Sequence, residues 1–182
     1  MNRTDPRQTS SVHQLREDFD RSFALAPDSD VQARQNLLAI HVGGDAYALR
    51  VAEIGGLHAD RRIVALPSPI PELLGLAGFR GQVAPVYDLA ALLGYRRGGE
   101  LRWMVLLRHH EPLAFAFERF DAHLAVTADQ IVASPAPTQN GAAHLHDAVR
   151  NEQAVLPIIH LQSILAVIQK RVDAARFTRS DR

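Results

Sequence analysis

Residues able to do chemistry are sparse in this sequence, and their spacing argues against catalysis. The nine histidines come first. His144-Leu145-His146-Asp147 is the best candidate for a metal site, because residues i and i+2 on a strand share a face. His109-His110-Glu111 is the second. A stable zinc site takes three or four convergent ligands held by further hydrogen-bond partners. Neither cluster has a third ligand at a diagnostic spacing, and the order His-Glu-x-x-His does not occur. Surface-loop histidines are the plain reading, and no bound metal is expected. The chain has no cysteine, which removes thiolate nucleophiles, disulfides and cysteine-ligated zinc. No Gly-x-Ser-x-Gly elbow and no Gly-x-x-x-x-Gly-Lys phosphate loop is present. Carboxylates are scattered, with no pair in an apolar frame to share acid and base roles. The pattern predicts no catalytic residue and no cofactor.

One cation stands out instead. Arg80 lies between Phe79 and Gly81 inside an apolar, β-rich stretch, residues 73–89. A buried strand keeps a cation only when the cation meets a partner. Gly81 allows a positive φ or a close backbone approach, and the guanidinium offers five donors in a rigid fork. Two roles fit: a clamp on backbone carbonyls or a carboxylate, and a direct contact with another protein. Val51, Ile54 and Leu57 recur every three residues across Gly55-Gly56. Core packing is the plain account of them. The alternative is an aliphatic groove that receives a helix hairpin, with Val83 and Val86 adding to one wall. Asp88 precedes Leu89-Ala90-Ala91-Leu92-Leu93 and reads as a helix N-cap.

These residues need a frame, and the frame is β-rich. The 182 residues are 47% hydrophobic, enough for one packed domain with tails. Formal net charge is zero and the pI is about 7.2, which argues against a nucleic-acid binder acting through a basic field. No apolar run nears the roughly 20 residues that span a bilayer, and the polar N-terminus lacks an apolar signal core. A cytoplasmic protein without membrane insertion is expected. Residues 1–35 form an extension, in which Val12, Leu15, Phe19 and Phe23 predict a short amphipathic helix. The domain occupies 36–168. Strands are predicted at 37–42 and 47–51 around a Gly43-Gly44-Asp45 turn, then at 63–66, 83–87, 102–107, 113–117 and 154–159. Two further short strands flank Thr127-Ala128-Asp129-Gln130. A short helix is predicted around Glu72-Leu73-Leu74, and a final one is marked by Leu161, Ile164, Leu165 and Ile168. Residues 169–182 read as a basic tail. Many short strands with turns between them predict an all-β barrel architecture with a few helices.

The order Gly-Leu, three residues, Arg-Gly, three residues, Pro-Val, one residue, Asp-Leu runs from Gly75 to Leu89. It resembles the signature of CheW-like domains, the coupling proteins of bacterial chemotaxis. The likeness extends from about Asn36 to about Ile168, and includes Val126 to Ile131 followed by Pro135. The resemblance implies an all-β fold of two intertwined five-stranded SH3-like barrels. It implies an adaptor without catalysis that binds the regulatory domain of a CheA-type histidine kinase and the cytoplasmic tip of a chemoreceptor. Carried over residue by residue, it points to Val51, Ile54, Leu57, Arg80, Gly81, Val83 and Val86 as partner-binding positions. Two departures stand out: Gly56 where the family often has Glu, and Gly78 where it usually has Asn. They point to a second expectation, a divergent adaptor of a non-flagellar pathway with altered or lost receptor binding. A metal-binding β-barrel using the histidines is the third.

Overall fold

The computed structural model describes residues 34–96, 98–134, 142–150 and 154–180. The chain divides into two units between Ala33 and Arg34, and every described residue belongs to the second. The amphipathic helix expected over 12–23 lies outside the described residues.

Two sheets carry the fold. The first strand, β1 (Gln35–Val42), turns through Gly43 and Gly44 into β2 (Asp45–Arg50). Both glycines have positive φ, 63° and 88°, the two-residue turn whose twist suits a hairpin. The remaining strands are β3 (Ile54–Ala59), β4 (Leu73–Phe79), β5 (Gln82–Asp88), β6 (Trp103–Leu107), β7 (Ala114–Phe117), β8 (Arg119–Val126), β9 (Ile131–Ala133), β10 (Leu145–Arg150) and β11 (Val155–Ile159). One sheet has the order β8-β1-β2-β11-β10-β9 and the other β3-β6-β7-β5-β4. Among the described residues the architecture is all-β, as expected, with six strands in one sheet and five in the other.

The apolar pattern explains why both sheets are covered on two sides. The main core joins Ile40, Val42 and Leu49 of the first sheet to Val105, Leu107, Phe115 and Phe117 of the second. Two helices close it, α1 (Leu89–Leu92) and α2 (Leu161–Ser180), through Leu89 and through Leu161, Ile164 and Ile168. Behind the second sheet lies a smaller cluster of Phe79, Ala84, Val86, Met104 and Ala116. Behind the first lies another, of Leu37, Ala48, Val149 and Ile158. Strand β7 is buried at all four residues, as a central strand with apolar neighbours on both faces must be.

Asp88 caps α1 as expected: its Oδ1 accepts from the Ala91 N–H at 3.1 Å. Gly94 ends that turn with φ 89°. Three local expectations are corrected. The helix around Glu72-Leu73-Leu74 is the start of β4, whose ladder with β5 satisfies the backbone that a helix would otherwise satisfy. Residues 63–66 contribute one isolated bridge, Val64 to Leu76, rather than a strand, and the alternating prolines that follow cannot extend a ladder. The helix α2 does not stop near Ile168 but continues to Ser180, through most of the predicted tail.

Candidate functional site

The hairpin of β4 and β5 carries the most informative surface. Its loop is Arg80-Gly81, and both residues have positive φ, 45° and 86°. Two-residue loops of this kind demand left-handed backbone at both central positions. Gly81 meets that demand at no steric cost. Arg80 does not, since an L-residue with a Cβ loses roughly 1–2 kcal/mol there. The side chain is exposed and makes no hydrogen bond or ion pair among the described residues. Among the described residues this guanidinium, on a hairpin tip, holds neither a carbonyl nor a carboxylate.

The strand alternation sorts the other expected residues. Val83 is 63% exposed and Val86 fully buried. They are three apart on one strand, so they stand on opposite faces and cannot line one wall. Val86 packs with Phe79, Ala84 and Met104. Val83 faces solvent opposite Gly78, and Leu76 stands opposite Pro85 on the same face. Val64 continues this row across the edge of β4, paired with Leu76 and 57% exposed. The outer face of the hairpin is thus an apolar strip of Val64, Leu76, Pro85 and Val83, with Arg80 and Gly81 at its end. At Gly78 the strip has a gap, where an added Cβ would meet nothing within 4 Å. Val64 was expected inside a strand, and its sequence neighbours gave no sign that it would remain exposed.

Val51, Ile54 and Leu57 are brought together, but on the core. Val51 lies in a 3-10 turn, residues Val51–Glu53, that leads into β3. A β-bulge at Gly55 pairs Ile54 with Leu107 and Leu57 with Val105. The extra residue converts a three-residue spacing into the two-residue spacing of one face. That face packs on the main core, with Ile54 buried and Val51 and Leu57 half-buried. Core packing accounts for Ile54, while Val51 and Leu57 pack on the core and keep part of their surface exposed, Val51 at the edge of a cleft.

The opposite face of β3 holds His58, buried and tilted against Phe79 with ring centroids 5.0 Å apart. Burial holds its pKa below the ordinary value, and the Arg61 and Arg80 charges add to that. The absent side chain of Gly56 makes room for this ring: a Cβ there would lie 2.9 Å from His58 Nε2. Gly56 is thus bound up with His58.

The two histidine clusters are placed otherwise than expected. His144 ends a 3-10 turn, Ala142–His144, and β10 begins after it, so His144 and His146 do not share a strand face. His144 is buried, its Nδ1 is 2.8 Å from Ser163 Oγ, and burial lowers its pKa. Asp147 accepts from Arg50 Nη2 at 2.6 Å and lies 3.2 Å from His160 Nε2. The hydrogen bond from Arg50 lowers the Asp147 pKa first, with His160 adding less. The His109 and His110 rings lie against each other, tilted by 47°, in an exposed bend. Among the described residues, no three histidines and carboxylates converge as metal ligands.

A family model described as a CheW-like domain matches residues 36–169. The chain belongs to the CheW-like family. It is 21% identical over 141 residues to the chemotaxis protein CheW of Bacillus subtilis (strain 168), covering 75% of this chain and 90% of that one. Its fold is similar to the crystal structure of the scaffolding protein TtCheW from Thermoanaerobacter tengcongensis. The TM-score is 0.62 at 17% identity, over 69% of this chain and 88% of that one. The all-β, two-sheet fold is therefore the CheW-like fold, and the family is one of chemotaxis scaffolds without catalysis. No helix among the described residues is long and apolar enough to cross a membrane.

Proposed function

We propose that this CheW-like chain couples chemoreceptors to a CheA-type histidine kinase, and that the β4–β5 hairpin is its contact surface. One observation carries the reading. Arg80 holds a left-handed backbone conformation that costs stability, and its guanidinium is presented to solvent beside an apolar strip. Strained residues kept at an exposed tip point to a role outside the fold. An arginine at the end of an apolar row is also the composition of an interface anchor. Val83, Pro85, Leu76 and Val64 would supply the apolar part, Arg80 the charged fork and Gly81 the close approach. A stable interface of this kind buries roughly 1,200–2,000 Å² in total. The kinase regulatory domain and the cytoplasmic receptor tip are the two partners of this reading, which sets the protein in the cytoplasm at receptor arrays. No reaction is involved: signalling follows from a shift in the relative geometry of bound partners.

A second reading is favoured by two glycines. Gly78 leaves the strip with a gap, and Gly56 is committed to housing His58. Both stand where the family commonly presents side chains. A divergent adaptor of a non-flagellar chemosensory pathway, with receptor contact altered, accounts for them.

The test is calorimetric titration with the regulatory domain of a CheA-type kinase from the same organism. The expected result is micromolar or tighter binding, weakened in Arg80→Glu with thermal unfolding unchanged. Binding untouched by Arg80→Glu would remove the hairpin from the interface. Absence of any complex would favour the divergent adaptor.

A further inference from the structure

Away from the hairpin, three arginines that lie far apart in sequence meet around one cleft. Arg34, Arg50 and Arg108 line it with Gln35, Asn36, Val51 and Ala52, enclosing about 420 Å³. No carboxylate is among these lining residues. Arg50 is engaged on one side, with Nη2 on Asp147 and Nη1 3.2 Å from His160 Nε2. Arg108 Nη2 makes a long contact of 3.4 Å to the Ile54 carbonyl. Arg34 makes no ion pair among the described residues. Asp147 offsets one of the three charges, so the rim keeps an excess of two positive charges. Glu53, the nearest carboxylate in sequence, accepts from the Arg108 N–H through its backbone carbonyl at 2.8 Å, while its Oε2 lies 3.4 Å from the Leu161 N.

We propose that this cleft binds a carboxylate-bearing, extended segment of a partner protein. The proposal rests on the reading of the chain as an adaptor and adds a second contact surface to it. Guanidinium forks match carboxylates in two-point geometry. The shape selects a chain rather than a small ion. A water occupies about 30 Å³ of liquid volume, so one inorganic anion would leave most of the cleft wet. Arg34, Gln35, Asn36, Ala52 and Arg108 are exposed, which makes the site a surface trough rather than a cavity. Small-molecule sites bury most of their ligand, and a trough suits an extended backbone laid along it. Val51 and Ala52 add apolar surface to the lining, which suits an aliphatic neighbour of the acidic side chains. Nucleic acid fits less well, because the cleft has no aromatic stacking platform and the chain has zero net charge.

The experiment uses the full chain and a fluorescein-labelled peptide of alternating Glu and Ala, read by anisotropy at low and at physiological ionic strength. Saturable binding that weakens with salt is expected. The double variant Arg34→Glu, Arg108→Glu should weaken it by about tenfold or more, the scale of losing a close ion pair. Arg62→Glu, an exposed arginine outside the cleft, should leave it within about twofold. A similar loss in Arg62→Glu would show a general field and overturn the site. Tight binding of tripolyphosphate with no binding of the peptide would overturn the occupant in favour of a small anion. No saturable binding of either probe would overturn the proposal entirely. Unfolding curves accompany each variant, and Arg34→Ala alone stands in if the double variant melts early. None of these outcomes depends on the kinase titration, so the two readings fail separately.

Discussion

Val83 and Val86 test the division between surface and core most directly. They are the same residue type on the same strand, one 63% exposed and the other fully buried. Val86→Ala removes two methyl groups from a cluster with Phe79, Ala84, Met104, Ala114 and Ala116. Transfer alone is worth about 0.8 kcal/mol per carbon, or about 1.6 kcal/mol. Incomplete collapse of the void adds to this, for a total of about 2–3 kcal/mol. A domain of this size loses about 2–4 °C in Tm per kcal/mol, which gives a drop of roughly 4–12 °C. Val83→Ala removes the same atoms from solvent-facing surface and should change stability by about 0.5 kcal/mol or less. Urea unfolding followed by tryptophan fluorescence measures both, since Trp103 is the only tryptophan and packs in the second sheet. The binding readout should reverse the order. Val83→Glu should weaken a hairpin-bound partner at unchanged Tm. Equal destabilisation by Val83→Ala and Val86→Ala would refute the assignment of opposite faces, and with it the contact strip.

Glycine substitutions on the same hairpin should separate backbone strain from open space. Gly75→Ala places a Cβ 2.1 Å from the Val64 carbonyl oxygen at φ 146°, and should cost about 2 kcal/mol or more in urea unfolding. Gly78→Ala meets nothing and should be neutral or slightly stabilising; a loss there as large as at Gly75 would contradict the open outer face. The ion pair of Asp147 with Arg50 predicts a feature of acid unfolding. The folded pKa of Asp147 lies below its ordinary value of 3.8, so its contribution is present above that value and lost as pH falls through the lowered one. Asp147→Asn should flatten that acid limb of the stability curve, and an unchanged limb would show that the pair contributes nothing.

Much of the fold was legible in the residue order. The Gly43-Gly44 turn, the Asp88 cap and the apolar runs at 102–107 and 113–117 each follow from local chemistry that leaves one good solution. The stretch from Gly75 to Leu89 carried the family signature, and the family model covers the expected domain. At the start of β4, Glu72-Leu73-Leu74 has helical propensity, and only pairing with β5 overrides it. At residues 63–66 a β-rich composition does not say whether a partner strand runs alongside, and only one bridge forms.

The sequence by itself determined that the chain is an all-β domain of the CheW-like family, and that Arg80 is the cation set within its signature stretch. Tertiary structure decided which side chains of that suspect region face outward. Spacing in sequence does not resolve this, because one bulge at Gly55 turns three-residue spacing into a single buried face. On β5, without such a bulge, the same spacing sends Val83 and Val86 to opposite sides. The arginine cleft is the extreme case. Positions 34, 50 and 108 share no local pattern, and only the end of β2 and the chain following β6, folded beside the start of β1, bring their charges together.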